Sequence, residues 1–284
     1  IGSKLIRVLP KYLSNTKIVI IDNLMSKRFC SLFNLPKHCD YEFFDSDVCS
    51  SQSLKYLVGA DILIHLAAIT DAEKSFENSS VVEDNNFVST KILSDFCAEN
   101  DIKFLHISST SVYGTQSALV DESCSASDLK PQSPYALTKL KEEQYIKDLY
   151  TNKSLKSISC RFGTIFGVSP GMRFHTAVNK FVWQAIHKKP LTIWRTAFNQ
   201  KRPYLDLNDA INLICFIIEE NIFDGEIYNI LSLNATVETI VEAIRKYKPD
   251  LELSFVDSKI MNQLSYEVSS KKIEKRGFRF KGDL

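Results

Sequence analysis

Glycine and proline are sparse, 9 and 8 in 284 residues. A chain this poor in both is neither low-complexity nor linker-rich. Charge of one sign is also lacking: 35 Lys+Arg stand against 34 Asp+Glu, a formal net charge of +1. Without surplus cations to release counterions, there is no general electrostatic case for nucleic acid or an anionic membrane. A basic pocket for a phosphorylated small molecule stays open. No apolar run approaches the roughly 20 residues that span a bilayer, so no membrane association is expected. The seven cysteines (Cys30, Cys39, Cys49, Cys97, Cys124, Cys160 and Cys215) are odd in number and never at CxxC spacing. They indicate neither a zinc cluster nor a disulfide framework, and a reducing cytoplasm is the expected location. Ile1-Gly2-Ser3 shows no initiator Met and no signal-peptide core, and reads as a chain that starts inside a domain.

What the chain does have is alternation. Lys17–Ile21, Ile62–Leu66 and Phe104–Ile107 are short, continuous apolar runs of the kind that form strands covered on both faces. Between them, Phe87, Ile92, Leu93, Phe96 and Cys97 recur at helical spacing. Strand–helix–strand repetition predicts a parallel sheet with right-handed crossovers, an α/β protein. The regular pattern runs to about residue 166. Beyond it are predicted a helix near 173–188, strands at Leu191–Trp194 and Tyr204–Leu207, and a helix near 208–220. A strand–helix–strand follows through Glu226–Ile230, Val237–Tyr247 and Glu252–Val256. The expected division is 1–166 and 167–284, with the second part interleaved into the first.

Several residues stand where open α/β sheets carry chemistry, at the carboxyl ends of strands. Asp22, in Ile20-Ile21-Asp22-Asn23-Leu24, could accept hydrogen bonds from both hydroxyls of a ribose and would repel a 2′-phosphate, favouring NAD. An ordinary Asp-Asn turn is the competing reading, and nearby Lys27-Arg28 leaves NADP open. Asp47-Val48 follows the next predicted strand. In His65-Leu66-Ala67-Ala68 the small residues allow a ligand to approach the backbone, or simply allow tight packing.

Ser133-Pro134-Tyr135-Ala136-Leu137-Thr138-Lys139 is the strongest local signal. Ser before Pro is a helix start, with Ser133 as N-cap and Pro134 at the first helical position. Tyr135 and Lys139 are then i and i+4 on one face. An ammonium beside a phenol favours the phenolate and is expected to lower the phenol's pKa from about 10, making Tyr135 a usable base. Such a pair alone also fits a surface aromatic with a solvated Lys. Ser108-Ser109-Thr110-Ser111, just past the strand at Phe104–Ile107, adds hydroxyls that could share a proton with Tyr135.

These segments occur in order: Asp22-Asn23-Leu24, His65-Leu66-Ala67-Ala68, Asn85-Asn86, Ser108-Ser109-Thr110-Ser111-Val112-Tyr113-Gly114 and Ser133 to Lys139. Together they resemble the extended short-chain dehydrogenase/reductases, in particular the nucleotide-sugar epimerase/dehydratase branch typified by UDP-galactose 4-epimerase. The resemblance spans essentially the whole chain. It implies a Rossmann-type, doubly wound parallel sheet in 1–166 carrying NAD, and a smaller C-terminal α/β lobe in 167–284 for a nucleoside-diphosphate sugar. Gly2 would match the third glycine of the family's phosphate loop, which places the first strand and two glycines outside this sequence. Ser109, Tyr135 and Lys139 match the catalytic residues. Gly2, Asp22, Asn23, Asp47, Val48, Leu66, Ala67, Ala68, Asn86, Ser108, Tyr135 and Lys139 match cofactor contacts. Asn179 and Arg202 resemble diphosphate ligands, Trp194 lies where the family places the nucleotide base, and Ser109 also meets the sugar. No metal is implied.

Three departures matter. Thr110 and Ser111 replace the Asp-Glu pair with which family dehydratases eliminate water, which argues against a 4,6-dehydratase. Thr164 stands where many members have Asn, and Leu264 where many have a second diphosphate Arg. The expected activity is 4-epimerisation of a UDP-hexose through a transient 4-keto sugar. A nucleotide-sugar 4-ketoreductase using NADPH is the alternative within the same site, and a non-catalytic nucleotide sensor or scaffold is the alternative of another class. The resemblance also implies a homodimer formed through the helices near 84–100 and 134–150.

Overall fold

The computed structural model describes residues 1–13, 16–70, 76, 79–257 and 265–284. In chain order the first half contains α1 (Gly2–Val8), β1 (Lys17–Asp22), β2 (Asp40–Asp45), α2 (Ser51–Lys55), β3 (Ile62–His65), α3 (Ser79–Glu99) and β4 (Lys103–Ser109). Then come β5 (Leu119–Val120), α4 (Pro134–Lys153), β6 (Ser157–Phe162), β7 (Thr164–Phe166), α5 (Ala177–Ile186), β8 (Leu191–Trp194) and β9 (Arg202–Asp206). The remainder is α6 (Leu207–Glu219), β10 (Ile227–Ile230), β11 (Leu233–Ala235), α7 (Val237–Arg245), β12 (Leu253–Val256), β13 (Glu267–Val268) and α8 (Lys271–Lys275).

The central ribbon is parallel, in the order β10-β6-β4-β3. β4 sits in its interior and alternates its side chains between two apolar layers, as a strand covered on both faces must. Phe104 packs with Leu93 and Cys97 of α3 and Ile146 and Leu149 of α4. Its neighbour Leu105 points the other way, into Ile158 and Cys160 of β6, Ile211 and Ile214 of α6, and Leu5 of α1. Helices therefore cover both faces, the doubly wound arrangement expected from the sequence. β10 comes from beyond residue 166, so the chain returns to complete this ribbon. β1 and β2 form a separate parallel pair. β1 and β3 both line one cavity of about 1550 Å³, and among the described residues they share no ladder.

A second apolar cluster joins Phe181 and Ala185 of α5, Leu191 and Ile193 of β8, and Ile240, Val241 and Ile244 of α7. β8 pairs in parallel with β12, β9 pairs in parallel with β7, and β9 is antiparallel to β11. β7, β11 and the β5–β13 pair have no counterpart in the sequence expectations; two or three residues are too few to show a period. The strand expected at Tyr204–Leu207 ends one residue sooner. Asp206 caps α6, accepting from the amides of Asn208 at 2.7 Å and Asp209 at 3.3 Å, and so turns Leu207 into a helical residue. The helix expected from about 173 starts at Ala177, after Thr176.

A 3-10 turn, Thr110–Tyr113, follows β4 and ends on Gly114, which has a φ of 64° and a ψ of −150°. A Cβ there would lie 1.8 Å from the carbonyl oxygen of Lys130. Both the dihedrals and the contact demand glycine. Gly114→Ala is expected to destabilise the fold by at least about 2 kcal/mol, read as a lower urea midpoint with an unchanged m-value.

Candidate active site

Two local devices present the central side chains. At the end of β4, Ser109 keeps extended backbone while capping the following turn, its Oγ accepting from the Ser111 amide at 3.2 Å and the Ser111 hydroxyl at 2.9 Å. At the start of α4, Ser133 is extended and its Oγ accepts from the Ala136 amide at 3.2 Å, with Pro134 in the first turn. The predicted cap therefore sets the helical phase, and Tyr135 and Lys139 come to one face as expected. Ser109 and Lys139 both act on the Tyr135 phenol in the direction that favours its ionised form. All three line the large cavity, together with Gly2, Asp22, Val48, Leu66, Ala67, Ala68, Ser108, Asn179, Trp194 and Arg202.

The electrostatics differ from the expectation that Lys139 alone would lower the phenol's pKa. Burial pushes Tyr135 upward; Lys139 pulls it down, Glu142 pushes it up again, and the net direction is above the ordinary value. Lys139 is 3% exposed, and its Nζ donates to Glu142 Oε2 at 2.7 Å. Burial disfavours the ammonium, but Glu142 and Tyr135 more than offset that and hold the Lys139 pKa above its usual value. Burial likewise works against the Glu142 carboxylate, yet Lys139 and His106 bring it down to about 2. His106 Nε2 meets the same Oε2 at 2.7 Å. A carboxylate can only accept, so Nε2 carries the proton and Nδ1 takes the Ser159 hydroxyl at 3.2 Å. Burial keeps His106 below its ordinary pKa and takes His65, behind it on β3, to about 3.

Several expected contacts are engaged elsewhere. The Ser108 hydroxyl donates to Glu143, which grips Arg161 through Nε at 2.9 Å and Nη2 at 2.7 Å. That guanidinium lies 4.8 Å from the centre of the Tyr113 ring. Ser108 therefore borders the cavity with its hydroxyl tied to the helical layer. Asn86 does not reach the cavity wall: its amide accepts from the Ile69 amide at 2.8 Å and donates to the Ile69 carbonyl at 2.9 Å. It holds the backbone just past Ala67-Ala68 rather than offering a free polar group. Asn179 is similarly committed, accepting from the Gly167 amide at 3.1 Å and donating to the Arg173 carbonyl at 3.0 Å.

Asp22, at the end of β1, borders the cavity while accepting from the Leu24 amide at 2.7 Å. Asn23 and Asp47 are turned to local amides, those of Met25 at 3.2 Å and Cys49 at 2.8 Å, and lie outside the cavity lining. Arg202 opens β9 beside Tyr204 and Tyr266. Trp194 ends β8. Thr110 turns its hydroxyl to the Phe162 carbonyl at 3.3 Å. Leu264 lies outside the described residues. Among the described residues, no cluster of His, Cys, Asp and Glu could hold a metal ion, and no helix is long and apolar enough to cross a membrane.

Residues 1–230 match the profile of the NAD dependent epimerase/dehydratase family. The chain belongs to that family. It is 29% identical over 255 residues to the dTDP-D-glucose 4,6-dehydratase of Dictyostelium discoideum, covering 84% of this chain and 56% of that protein. It is 27% identical over 293 residues to the trifunctional UDP-glucose 4,6-dehydratase/UDP-4-keto-6-deoxy-D-glucose 3,5-epimerase/UDP-4-keto-L-rhamnose-reductase of Arabidopsis thaliana, covering 98% of this chain and 42% of that protein. The chain thus spans about half the length of these curated relatives. The UDP-glucuronic acid 4-epimerase of Bacillus cereus, crystallised with UDP-glucuronic acid and NAD, superposes with a TM-score of 0.89 at 25% identity, over 100% of this chain and 91% of that one.

Within this family member, sequence reading passed over Glu142, His106, Tyr266 and Arg173. Glu142 had a legible signal, since it continues the i, i+4, i+7 row of Tyr135 and Lys139. Arg173 had none; it reaches Tyr135 electrostatically from the segment before α5 and donates to Thr70 at 2.7 Å.

Because Glu143 is 2% exposed and satisfies a buried guanidinium, Glu143→Ala is expected to cost about 3–5 kcal/mol. Urea unfolding of the variant beside the parent protein reads this directly.

Proposed function

We propose that this protein is an NAD-dependent nucleotide-sugar 4-epimerase acting on a UDP-hexose. The observation that carries the reading is the meeting of Ser109, Tyr135 and Lys139 in one cavity, with Thr110 and Ser111 where a dehydratase needs carboxyl groups.

The cavity fits a dinucleotide in volume and lining. Its lining includes Asp22, the small residues Ala67 and Ala68, and Tyr135 and Lys139. Asp22 would hold the adenosine ribose, Ala67 and Ala68 would flank the chain of the dinucleotide, and Lys139 would hold the nicotinamide ribose. Bound NAD supplies a reversible hydride acceptor, chemistry that no side chain of this protein offers.

The protein's own contribution is proton handling and grip. As phenolate, the form that Lys139 favours and burial opposes, Tyr135 takes the proton of the sugar 4-hydroxyl and later returns it to the C4 oxygen, with Ser109 orienting that oxygen. Arg202 supplies a guanidinium fork suited to phosphate oxygens. Firm anchoring at the diphosphate and a loose hold on the hexose let the 4-keto sugar present its other face. Thr and Ser hydroxyls do not ionise near neutral pH, so Thr110 and Ser111 lack the acid and base that water elimination requires.

The test is an assay of the full chain with UDP-glucose, UDP-N-acetylglucosamine and UDP-glucuronic acid. Interconversion at C4 with retention of a C4 deuterium label and no net use of NADPH is expected. A 4-keto-6-deoxy product, or stoichiometric consumption of NADPH with a 4-keto sugar, rejects epimerisation. Tyr135→Phe should lower kcat by about 10²–10⁴-fold while nucleotide-sugar binding, followed by calorimetry, stays within a few-fold. A sensor or scaffold would show binding in both proteins and turnover in neither.

The dimer is part of the same reading. α3 packs along α4, and Val81, Val88 and Leu137 are exposed on these two helices, 52%, 40% and 54% respectively. Sedimentation equilibrium should give twice the chain's 32.3 kDa mass, and a monomer at micromolar concentration rejects the pairing.

A further inference from the structure

The face of α4 that bears Tyr135 and Lys139 does not end with them. Tyr135, Lys139 and Glu142 follow one another at i, i+4 and i+7, so one helical row carries a phenol, an ammonium and a carboxylate toward β4. The carboxylate is 0% exposed. A single oxygen, Oε2, takes both its donors: Lys139 Nζ at 2.7 Å and His106 Nε2 at 2.7 Å. The other oxygen, Oε1, is buried with no hydrogen-bond partner among the described residues. His106 reaches this point from the middle of β4, three residues before Ser109, and is anchored from behind by the Ser159 hydroxyl.

We propose that Glu142 is a positioning residue for the reaction: acting through the Lys139 ammonium, it governs how readily Tyr135 releases its proton, and His106 fixes the carboxylate in that role. The inference rests on the epimerase reading for its consequence in turnover; its effect on the phenol rests on the helical row and the contacts of Glu142, with the electrostatics in support.

The argument is one of shared charge. An ammonium buried between a phenol and a carboxylate stabilises negative charge on both, and what it gives one it withholds from the other. Glu142 is the stronger acid and holds its charge permanently, so Tyr135 feels a partly compensated cation. The groups facing this centre are few. Glu142 and Glu143 belong to α4 itself; His106 lies on β4 and His65 on β3; Arg161 on β6 is engaged by Glu143; Arg173 acts on Tyr135 from the segment before α5. Burial holds both histidines neutral, so Glu142 is the permanent negative charge in direct contact with the ammonium. Its removal frees the cation for the phenol.

A purely structural ion pair would make a different prediction. Losing it would lower stability and reduce kcat evenly across pH. The positioning role instead moves the pH profile.

The experiment pairs two variants of the full chain, Glu142→Gln and His106→Leu. The first keeps shape and discards charge; the second leaves the carboxylate ionised and removes its second donor. Two readouts are taken. One is kcat/KM for UDP-glucose against pH. The other is the NMR titration of the Tyr135 phenol in protein labelled with ¹³C at tyrosine Cζ, assigned by Tyr135→Phe. In Glu142→Gln the acid limb and the phenol midpoint should both fall by about one pH unit, a tenfold change. In His106→Leu, where the carboxylate leans on Lys139 alone, both should rise. Midpoints that stay with the parent protein, or that move in the same direction in both variants, overturn the proposal. If Glu142→Gln does not fold, the His106→Leu shift decides: upward supports the role, and none rejects it. The titration needs no turnover, so a phenol that shifts in a protein inactive on UDP-glucose leaves this inference standing and the epimerase reading fallen. Turnover with an unmoved phenol does the reverse.

Discussion

Lys139 is a cation held almost entirely out of water, and the region around it is organised to make that tolerable. An isolated ammonium in an apolar interior would shed its proton or stay outside. Here Glu142 meets it at 2.7 Å and His106 secures the same carboxylate oxygen at 2.7 Å. A second buried pair, Glu143 with Arg161, sits beside the first and is itself tied to Ser108. α4 therefore presents two adjacent carboxylates to the sheet, each neutralised by a different partner. The fold needs both pairs complete, because removing one member would leave a buried charge uncompensated.

Several of the expected ligand contacts are likewise committed within the chain. Ser108 and Asn179 border the cavity and Asn86 lies outside its lining, and each spends its polar atoms on the chain itself. Asn86 pins the backbone at Ile69, and Asn179 ties Gly167 to Arg173. Such residues shape the cavity by holding its walls. In the proposed reading, the Tyr135 phenol, the Lys139 ammonium, the Ser109 hydroxyl and the Arg202 guanidinium act on the ligand from that cavity.

Much of the fold was legible because its signals are local. The runs around Ile18–Ile21, Ile62–Ile64 and Phe104–Ile107 are strands, and the alternation of Phe104 and Leu105 between two apolar layers follows from a period of two. What could not be read were pieces too short for any period, such as β7 and β11, and the one-residue trade between β9 and α6 at Leu207. A cap decided that boundary. The Tyr135 phenol, expected to be shifted downward by its neighbouring Lys, is shifted upward chiefly by burial, which follows from how α4 packs and has no local sequence signal.

The sequence by itself determined the helical phase of α4. Ser133 and Pro134 start the helix, its period is set by backbone dihedrals, and so Tyr135, Lys139 and Glu142 had to share a face wherever the helix went. The tertiary structure decided what that face would meet. Whether the carboxylate found water or His106, and the phenol water or Ser109, depended on how α4 crosses β4 and in which register β4 and β6 pair. Those are contacts between segments far apart in the chain, and no dihedral preference encodes them.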